Sequence, residues 1–255
     1  MKPTLRHVLA CFEKEKDLPS PVIYETTDST NLRARVLAEQ GAQHGTAVIA
    51  FSQSAGRGRF TRRFVSDEGG LYMSVILRDI PIEAATRLTP YAAVCAARVL
   101  ELLCADIKID VKWVNDLYLR GRKLAGILTE SSLAADGKTL EYAVVGIGIN
   151  LTNRLEGELA EMAISLVEVA TAPDIGDLAQ RMTVELSKAV TAIKDGDFMR
   201  EYRERCFMLG HRVTVHAEEA YVATAITVEE DASLTVLLDS GETRSLSSGE
   251  VSVRF

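Results

Sequence analysis

Thr46-Ala47-Val48-Ile49-Ala50-Phe51, Ser52-Gln53-Ser54-Ala55-Gly56-Arg57-Gly58-Arg59-Phe60-Thr61-Arg62-Arg63-Phe64 and Gly70-Leu71-Tyr72-Met73-Ser74-Val75-Ile76-Leu77 follow one another along this 255-residue chain. The outer two are apolar runs of strand length, so the stretch reads as strand, loop, strand. The loop holds four arginines and two glycines in a chain of formal net charge -7. Fixed positive charge between two buried strands suits an anion clamp. Glycine lets backbone close on a ligand, and guanidinium forks hold phosphate or carboxylate oxygens. The alternative is a solvated surface loop, and other stretches bear on the choice.

Upstream, Leu5, Val8, Leu9 and Phe12 share one helical face, which predicts a helix over 3–16. Val22-Ile23-Tyr24 predicts a strand. Asp28-Ser29-Thr30-Asn31 then opens a helix closed by Gly41, with Asp28 or Ser29 as N-cap. Downstream, an Ala- and Leu-rich run over 83–105 predicts a long buried helix, and strands are expected at 107–114, 117–119, 123–130 and 141–151. Gly146 and Gly148 remove side chains from one face of the last strand, which suggests close approach of a ligand or another backbone. Residues 174–209 carry helical spacing. Short period-two strands at 213–215, 221–228, 234–238, 244–246 and 251–253 predict a small β-barrel.

The acidic net charge argues against general nucleic-acid or anionic-membrane binding. No apolar run has membrane-span length, and Glu13-Lys14-Glu15-Lys16-Asp17 interrupts any signal-peptide core, so a cytoplasmic location is expected. Cys11, Cys95, Cys104 and Cys206 lack paired spacing and are expected as core thiols. His7, His44, His211 and His216 show no metal-binding pattern.

A second constellation, Lys112-Trp113-Val114-Asn115-Asp116 and Arg122-Lys123-Leu124-Ala125-Gly126-Ile127-Leu128, lies on successive short strands. An Asn-Asp pair alone is a turn. Together with the arginine loop, Asp28-Ser29-Thr30-Asn31 and Gly146-Ile147-Gly148-Ile149-Asn150, it resembles the biotin protein ligases across roughly residues 22 to 151.

The resemblance implies an α/β (α+β) catalytic domain over 1–209. Its mixed, largely antiparallel sheet would be flanked by helices, as in class II aminoacyl-tRNA synthetases. An SH3-like barrel would occupy 210–255. It implies that biotin and ATP give biotinyl-5′-adenylate and pyrophosphate, and that a lysine of a biotin carboxyl carrier protein then takes the biotinyl group. On the same basis Ser29, Thr30, Asn31 and Gln53 would bind the biotin ring region, with Gly56, Gly58 and Gly126 allowing close approach. Arg57 would hold the carboxylate and then the adenylate phosphate, Arg59 and Arg62 would steer the ATP phosphates, and Lys123 would bridge carboxylate and phosphate. Phe64, Trp113, Asn115 and Asn150 would lie on the nucleotide side. Asp116 is left between holding Mg2+ and receiving the proton of the incoming lysine. Val114 stands where the family usually has proline, and Phe64 where tryptophan is common.

Positioning two anions and stabilising charge on the α-phosphate is work that fixed cations do. The residues ahead of Val22 suffice for about one helix, so no helix-turn-helix and no DNA binding are expected. The alternatives are a lipoate-protein ligase of the same fold and a catalytically inactive biotin-binding protein. The oligomeric state stays open between monomer and homodimer.

Overall fold

The computed structural model describes residues 4–60 and 62–253. Helix α1 (Leu5–Phe12) leads to strand β1 (Val22–Thr27), helix α2 (Thr30–Glu39), and strands β2 (Ala47–Gln53) and β3 (Gly70–Leu77). Pro3, the first residue of the predicted N-terminal helix, lies outside the described residues. The long helix expected over 83–105 is divided into a 3-10 segment (Ile82–Arg87) and α3 (Leu88–Leu103). Pro90 explains where α3 starts: proline lacks an N–H and belongs in the first turn of a helix.

Strands β4 (Asp110–Lys112), β5 (Asp116–Leu119), β6 (Arg122–Leu133) and β7 (Leu140–Asn150) follow. The strand expected over 107–114 is only three residues long, because pairing with β5 runs from Asp110–Tyr118 to Lys112–Asp116. Residues 152–173, unassigned from sequence, hold helix α4 (Glu158–Met162) and a 3-10 turn at Leu166–Glu168. The helical region from 174 is three helices, α5 (Ile175–Ser187), α6 (Ala189–Asp195) and α7 (Phe198–Arg205). The break before α7 falls at Gly196, whose φ of 76° suits glycine.

The sheet order is β1-β2-β3-β7-β6-β5-β4. Only β1 and β2 run parallel; the remaining pairs are antiparallel. Period-two alternation sends Ile49, Met73, Val75, Val145 and Ile147 to the face that carries α1, α3 and α5. It sends Val48, Ile76, Tyr142 and Val144 to the face where α2 lays Ala34 and Ala38. All eight residues of β3 are buried, as expected for a strand covered on both sides.

Along β7 the face under α2 changes character. After Tyr142 and Val144 come Gly146 and Gly148, with Gly148 paired to Gly126 on β6. The side-chain layer is missing there, which leaves room above the sheet. Strands β8 (Arg212–His216), β9 (Tyr221–Val228), β10 (Leu234–Leu237), β11 (Thr243–Leu246) and β12 (Glu250–Val253) form an antiparallel sheet in the order β11-β10-β9-β8-β12. Val213, Val215, Ala225, Leu234 and Val251 from this sheet join the same buried cluster as α3 and β5. Among the described residues no helix is long and apolar enough to cross a membrane.

Candidate active site

A cavity of about 140 Å³ occupies the space over the glycines. Its lining brings together Ser29, Thr30 and Asn31 from the start of α2, Gln53 from β2, and Arg57, Gly58, Arg59, Arg62 and Phe64 from the loop. Trp113, Asn115, Asp116, Lys123 and Gly126 line it too. Arg57 and Lys123, far apart in sequence, thus share one cavity.

At the α2 end the polar groups hold one another. Ser29 is the N-cap by backbone, but its hydroxyl makes no capping bond. The Thr30 N–H and hydroxyl both donate to Gln53 Oε1, at 2.7 and 3.2 Å. Ser74 Oγ donates to Asn31 Oδ1 (2.7 Å) and lies 2.8 Å from Thr30 Oγ1. Asn31 Nδ2 donates to Leu128 O (3.2 Å) and Glu130 Oε2 (2.9 Å). Asp28 sits outside this group, accepting from the Ser29 N–H and from Arg33. That backbone bond, above all, holds its carboxyl below the usual range.

The loop is a small hairpin with bonds of its own. Gly58 N donates to Arg62 O (2.8 Å) and Phe64 N to Gly56 O (3.0 Å). Its exit is fastened by Gln53, whose Nε2 donates to Ser66 Oγ at 2.9 Å. Arg57 Nη1 lies 2.9 Å from Glu130 Oε1 and donates to Oε2 at 3.1 Å. Arg59 Nη1 reaches Asn115 Oδ1 (3.4 Å) and the Gly249 carbonyl (3.3 Å), so one guanidinium joins the loop, the Asn-Asp turn and the C-terminal sheet.

Beneath the loop, the Phe64 ring lies on the glycine floor. A Cβ on Gly148 would come within 2.7 Å of it and one on Gly126 within 3.1 Å. Its edge meets Tyr72, with ring centroids 6.3 Å apart. Lys123 Nζ stands 5.8 Å from the Phe64 ring centre and 2.7 Å from Asp116 Oδ1. That ion pair lacks hydrogen-bond alignment, so the buried Oδ1 has a cationic neighbour but no directed donor. Asn115 is held by Ile127 at both its side-chain amide (2.8 Å) and its backbone carbonyl (2.9 Å). The Trp113–Val114 peptide is cis. The Trp113 indole N–H donates to Ala232 O at 2.9 Å, which ties this turn to the C-terminal sheet.

Two expected residues stand apart from the lining. Gly56 is a packing glycine, since a Cβ there would sit 3.1 Å from Gln53 Nε2 and overlap the Phe64 carbonyl and Ser66 Oγ. Asn150 is buried at the end of β7, where it accepts from Asn153 Nδ2 at 3.0 Å. Sequence reading missed Glu130, Ser74, and the C-terminal residues Gly249 and Val251. Ser74 and Glu130 had a legible signal, being polar positions on the glycine-bearing faces of β3 and β6. The C-terminal pair had none, because no local pattern shows where an appended sheet will dock.

The four cysteines are buried and free, as expected. Away from the cavity, His7, Cys11 and Asp174 place ligand-type atoms within 4.8 Å of one another, a grouping across α1 and α5 that sequence spacing does not reveal. Asp174 is engaged there in capping α5 and in a 2.7 Å bond with His7.

A mixed sheet with a glycine floor, roofed by an arginine hairpin and flanked by a lysine, gives a cavity whose fixed cations suit a small ligand bearing anionic groups. The chain belongs to the biotin/lipoate A/B protein ligase family, whose model matches residues 23–150. It is 40% identical over 154 residues to the bifunctional ligase/repressor BirA of Bacillus subtilis, covering 58% of this chain and 46% of that protein. It is 31% identical over 235 residues to the biotin--[acetyl-CoA-carboxylase] ligase of Mycobacterium tuberculosis, covering 88% and 85%. The structure of Aquifex aeolicus biotin protein ligase in complex with biotin and ATP superposes with a TM-score of 0.74 at 27% identity, over 92% of this chain and 98% of that one. The chain thus spans about half the length of the Bacillus relative and nearly all of the Aquifex one.

Proposed function

We propose that this chain is a biotin–protein ligase, ATP-dependent and AMP-forming, with catalytic residues within 1–209 and an appended sheet over 210–255. The observation that carries the reading is the convergence of Arg57 and Lys123 on one cavity whose other end offers Ser29, Thr30, Asn31 and Gln53. Those hydroxyl and amide groups suit the ureido ring of biotin, which both donates and accepts. The cationic end suits its carboxylate.

In the first half-reaction a carboxylate oxygen attacks the α-phosphorus of ATP. The bond to the β-phosphate bridging oxygen breaks and pyrophosphate leaves. Negative charge grows on the α-phosphoryl oxygens, where Arg57 and Lys123 stabilise it. Asp116 holds the Lys123 ammonium toward that point. Arg59 and Arg62 attract the nucleotide phosphates, and Trp113 and Phe64 offer aromatic surface. In the second half-reaction the neutral ε-amine of a carrier-protein lysine attacks the acyl carbon, the bond to the AMP phosphate oxygen breaks, and the proton lost by the amine passes to the Asp116 carboxylate or to solvent. Asp116 is the residue that would hold the Mg2+ accompanying ATP, its Oδ1 being saturated by no hydrogen bond although it also faces the Lys123 ammonium, and the ion would supply neutralisation of phosphate charge there. The hairpin roof excludes water from the hydrolysable mixed anhydride.

The names and complexes of the Mycobacterium and Aquifex relatives support this substrate pair and an acetyl-CoA carboxylase carrier as acceptor. The test is pyrophosphate release from ATP with biotin or with lipoate, followed by transfer of labelled biotin to an apo carrier domain. Release with lipoate alone, or with neither acid, refutes the reading.

A further inference from the structure

Glu130 has no part in the chemistry above, yet its carboxylate joins both ends of the cavity. It stands on β6, an interior strand of the sheet. One oxygen, Oε2, accepts from Asn31 Nδ2 at 2.9 Å and from Arg57 Nη1 at 3.1 Å, while Oε1 lies 2.9 Å from the same Nη1. Its side chain is 26% exposed and that of Arg57 37%. A line of polar groups therefore runs from Gln53 through Thr30, Ser74, Asn31 and Glu130 to Arg57. Gln53 also fastens the loop exit at Ser66. The first arginine and the exit of the loop are thus pinned to one network rooted in the sheet.

We propose that Glu130 is a positioning residue for Arg57: it anchors the guanidinium at the cavity through Nη1, so that the remaining donors of the fork meet the substrate carboxylate. The proposal rests on the ligase reading and assigns the specificity of that site for an acid over a neutral analogue to this pair. Two features argue for an anchor. Glu130 is held on its other side by a buried Asn31 that Ser74 fixes in turn, so its carboxylate has a set place. A guanidinium has five donors in a fixed fork, and the two Glu130 oxygens meet Arg57 at Nη1. Anchoring a long side chain beforehand removes ordering cost from ligand binding.

The test compares biotin with biotinol, the neutral alcohol in which the carboxylate is replaced, by calorimetric titration of the full chain and of its Glu130→Gln and Glu130→Asp variants. Glutamine keeps an acceptor for Asn31 but loses the charge that holds Arg57; aspartate keeps the charge on a shorter arm. We expect Glu130→Gln to lose roughly ten-fold of the preference for biotin over biotinol, the scale of one charge-assisted hydrogen bond. Biotinol affinity should stay within about two-fold, and Glu130→Asp should recover part of the preference.

Parallel weakening of both ligands would mark a purely structural role and overturn the proposal. Tighter biotin binding by Glu130→Gln would mark Glu130 as a competitor of the substrate and overturn it as well. Full preference retained by Glu130→Gln, or no partial preference in Glu130→Asp, also overturns it. A wild-type chain without biotin-dependent pyrophosphate release brings down the ligase reading and the anchor together; with that release present, the variants judge the anchor alone.

Discussion

Gly146→Ala probes the floor and the α2 end at once. A Cβ at this position would overlap Asn31 Oδ1 and lie 2.8 Å from Cγ, closer than real Cβ atoms come. Asn31 has little room to retreat. It is 4% exposed and bonded to Ser74, Leu128 and Glu130. If its side chain swings aside, two neutral bonds at about 1 kcal/mol each and one bond to a carboxylate at about 1.5–3 kcal/mol are lost. The expected destabilisation is therefore about 3.5–5 kcal/mol, read as a lower urea midpoint at unchanged slope. Biotin affinity should fall with it, because Glu130 loses its hold on one side.

The cause can be isolated with Asn31→Ala. That variant forfeits the same bonds but vacates the space a methyl group would enter. In its background Gly146→Ala should cost less than about 1 kcal/mol, leaving a coupling of at least about 2.5–4 kcal/mol across the cycle. Additive costs, or a Gly146→Ala single variant within about 1 kcal/mol of wild type, would show that the glycine is not required by Asn31.

Lys123→Ala should lower the rate of biotin-dependent pyrophosphate release by roughly 100-fold or more, while calorimetric biotin affinity falls far less; unchanged turnover would remove the lysine from the chemistry. Arg59→Gly cuts the loop from Asn115 and Gly249, so the reactive intermediate should escape faster, measured as labelling of bystander proteins; labelling confined to the carrier would contradict this. Trp113→Phe deletes the bond to Ala232 and should cost about 1–2 kcal/mol in urea unfolding; no change would mean that this link between turn and C-terminal sheet contributes nothing.

Acid should act through α3 and α7, where Arg205 grips Glu101 at 2.7 and 2.8 Å and also bonds Glu201. Burial alone raises the Glu101 carboxyl, but the Arg205 bond and the Ile109 N–H outweigh it and hold the group below its ordinary 4.5. A depressed folded value means that this stability is present above pH 4.5 and is lost as pH falls through the folded value. Arg205→Ala should cost about 3 kcal/mol at neutral pH and flatten the acid dependence of the urea midpoint; an unchanged acid limb would refute the assignment.

What the amino-acid order determined here is whatever lies within a few residues of its cause. Val48 to Phe51 and Leu71 to Leu77 are strands because continuous apolar runs suit a sheet covered on both faces. The Arg57-Gly58-Arg59 and Asn115-Asp116 segments were legible as site elements because glycines and clustered charge are conspicuous among such runs. Helix breaks were harder: Pro90 and Gly196 shift α3 and divide 174–209, but their effect depends on where in a helix they fall. Only tertiary structure decided that Arg57 faces Glu130, that Phe64 lies on Gly126 and Gly148, that Arg59 reaches Gly249, and that Asn150 turns from the cavity toward Asn153. Each of those contacts joins residues whose meeting is set by strand order, by the register of β6 on β7 or by the docking of the last five strands. Such packing is a sum over the whole core, and no short segment contains it.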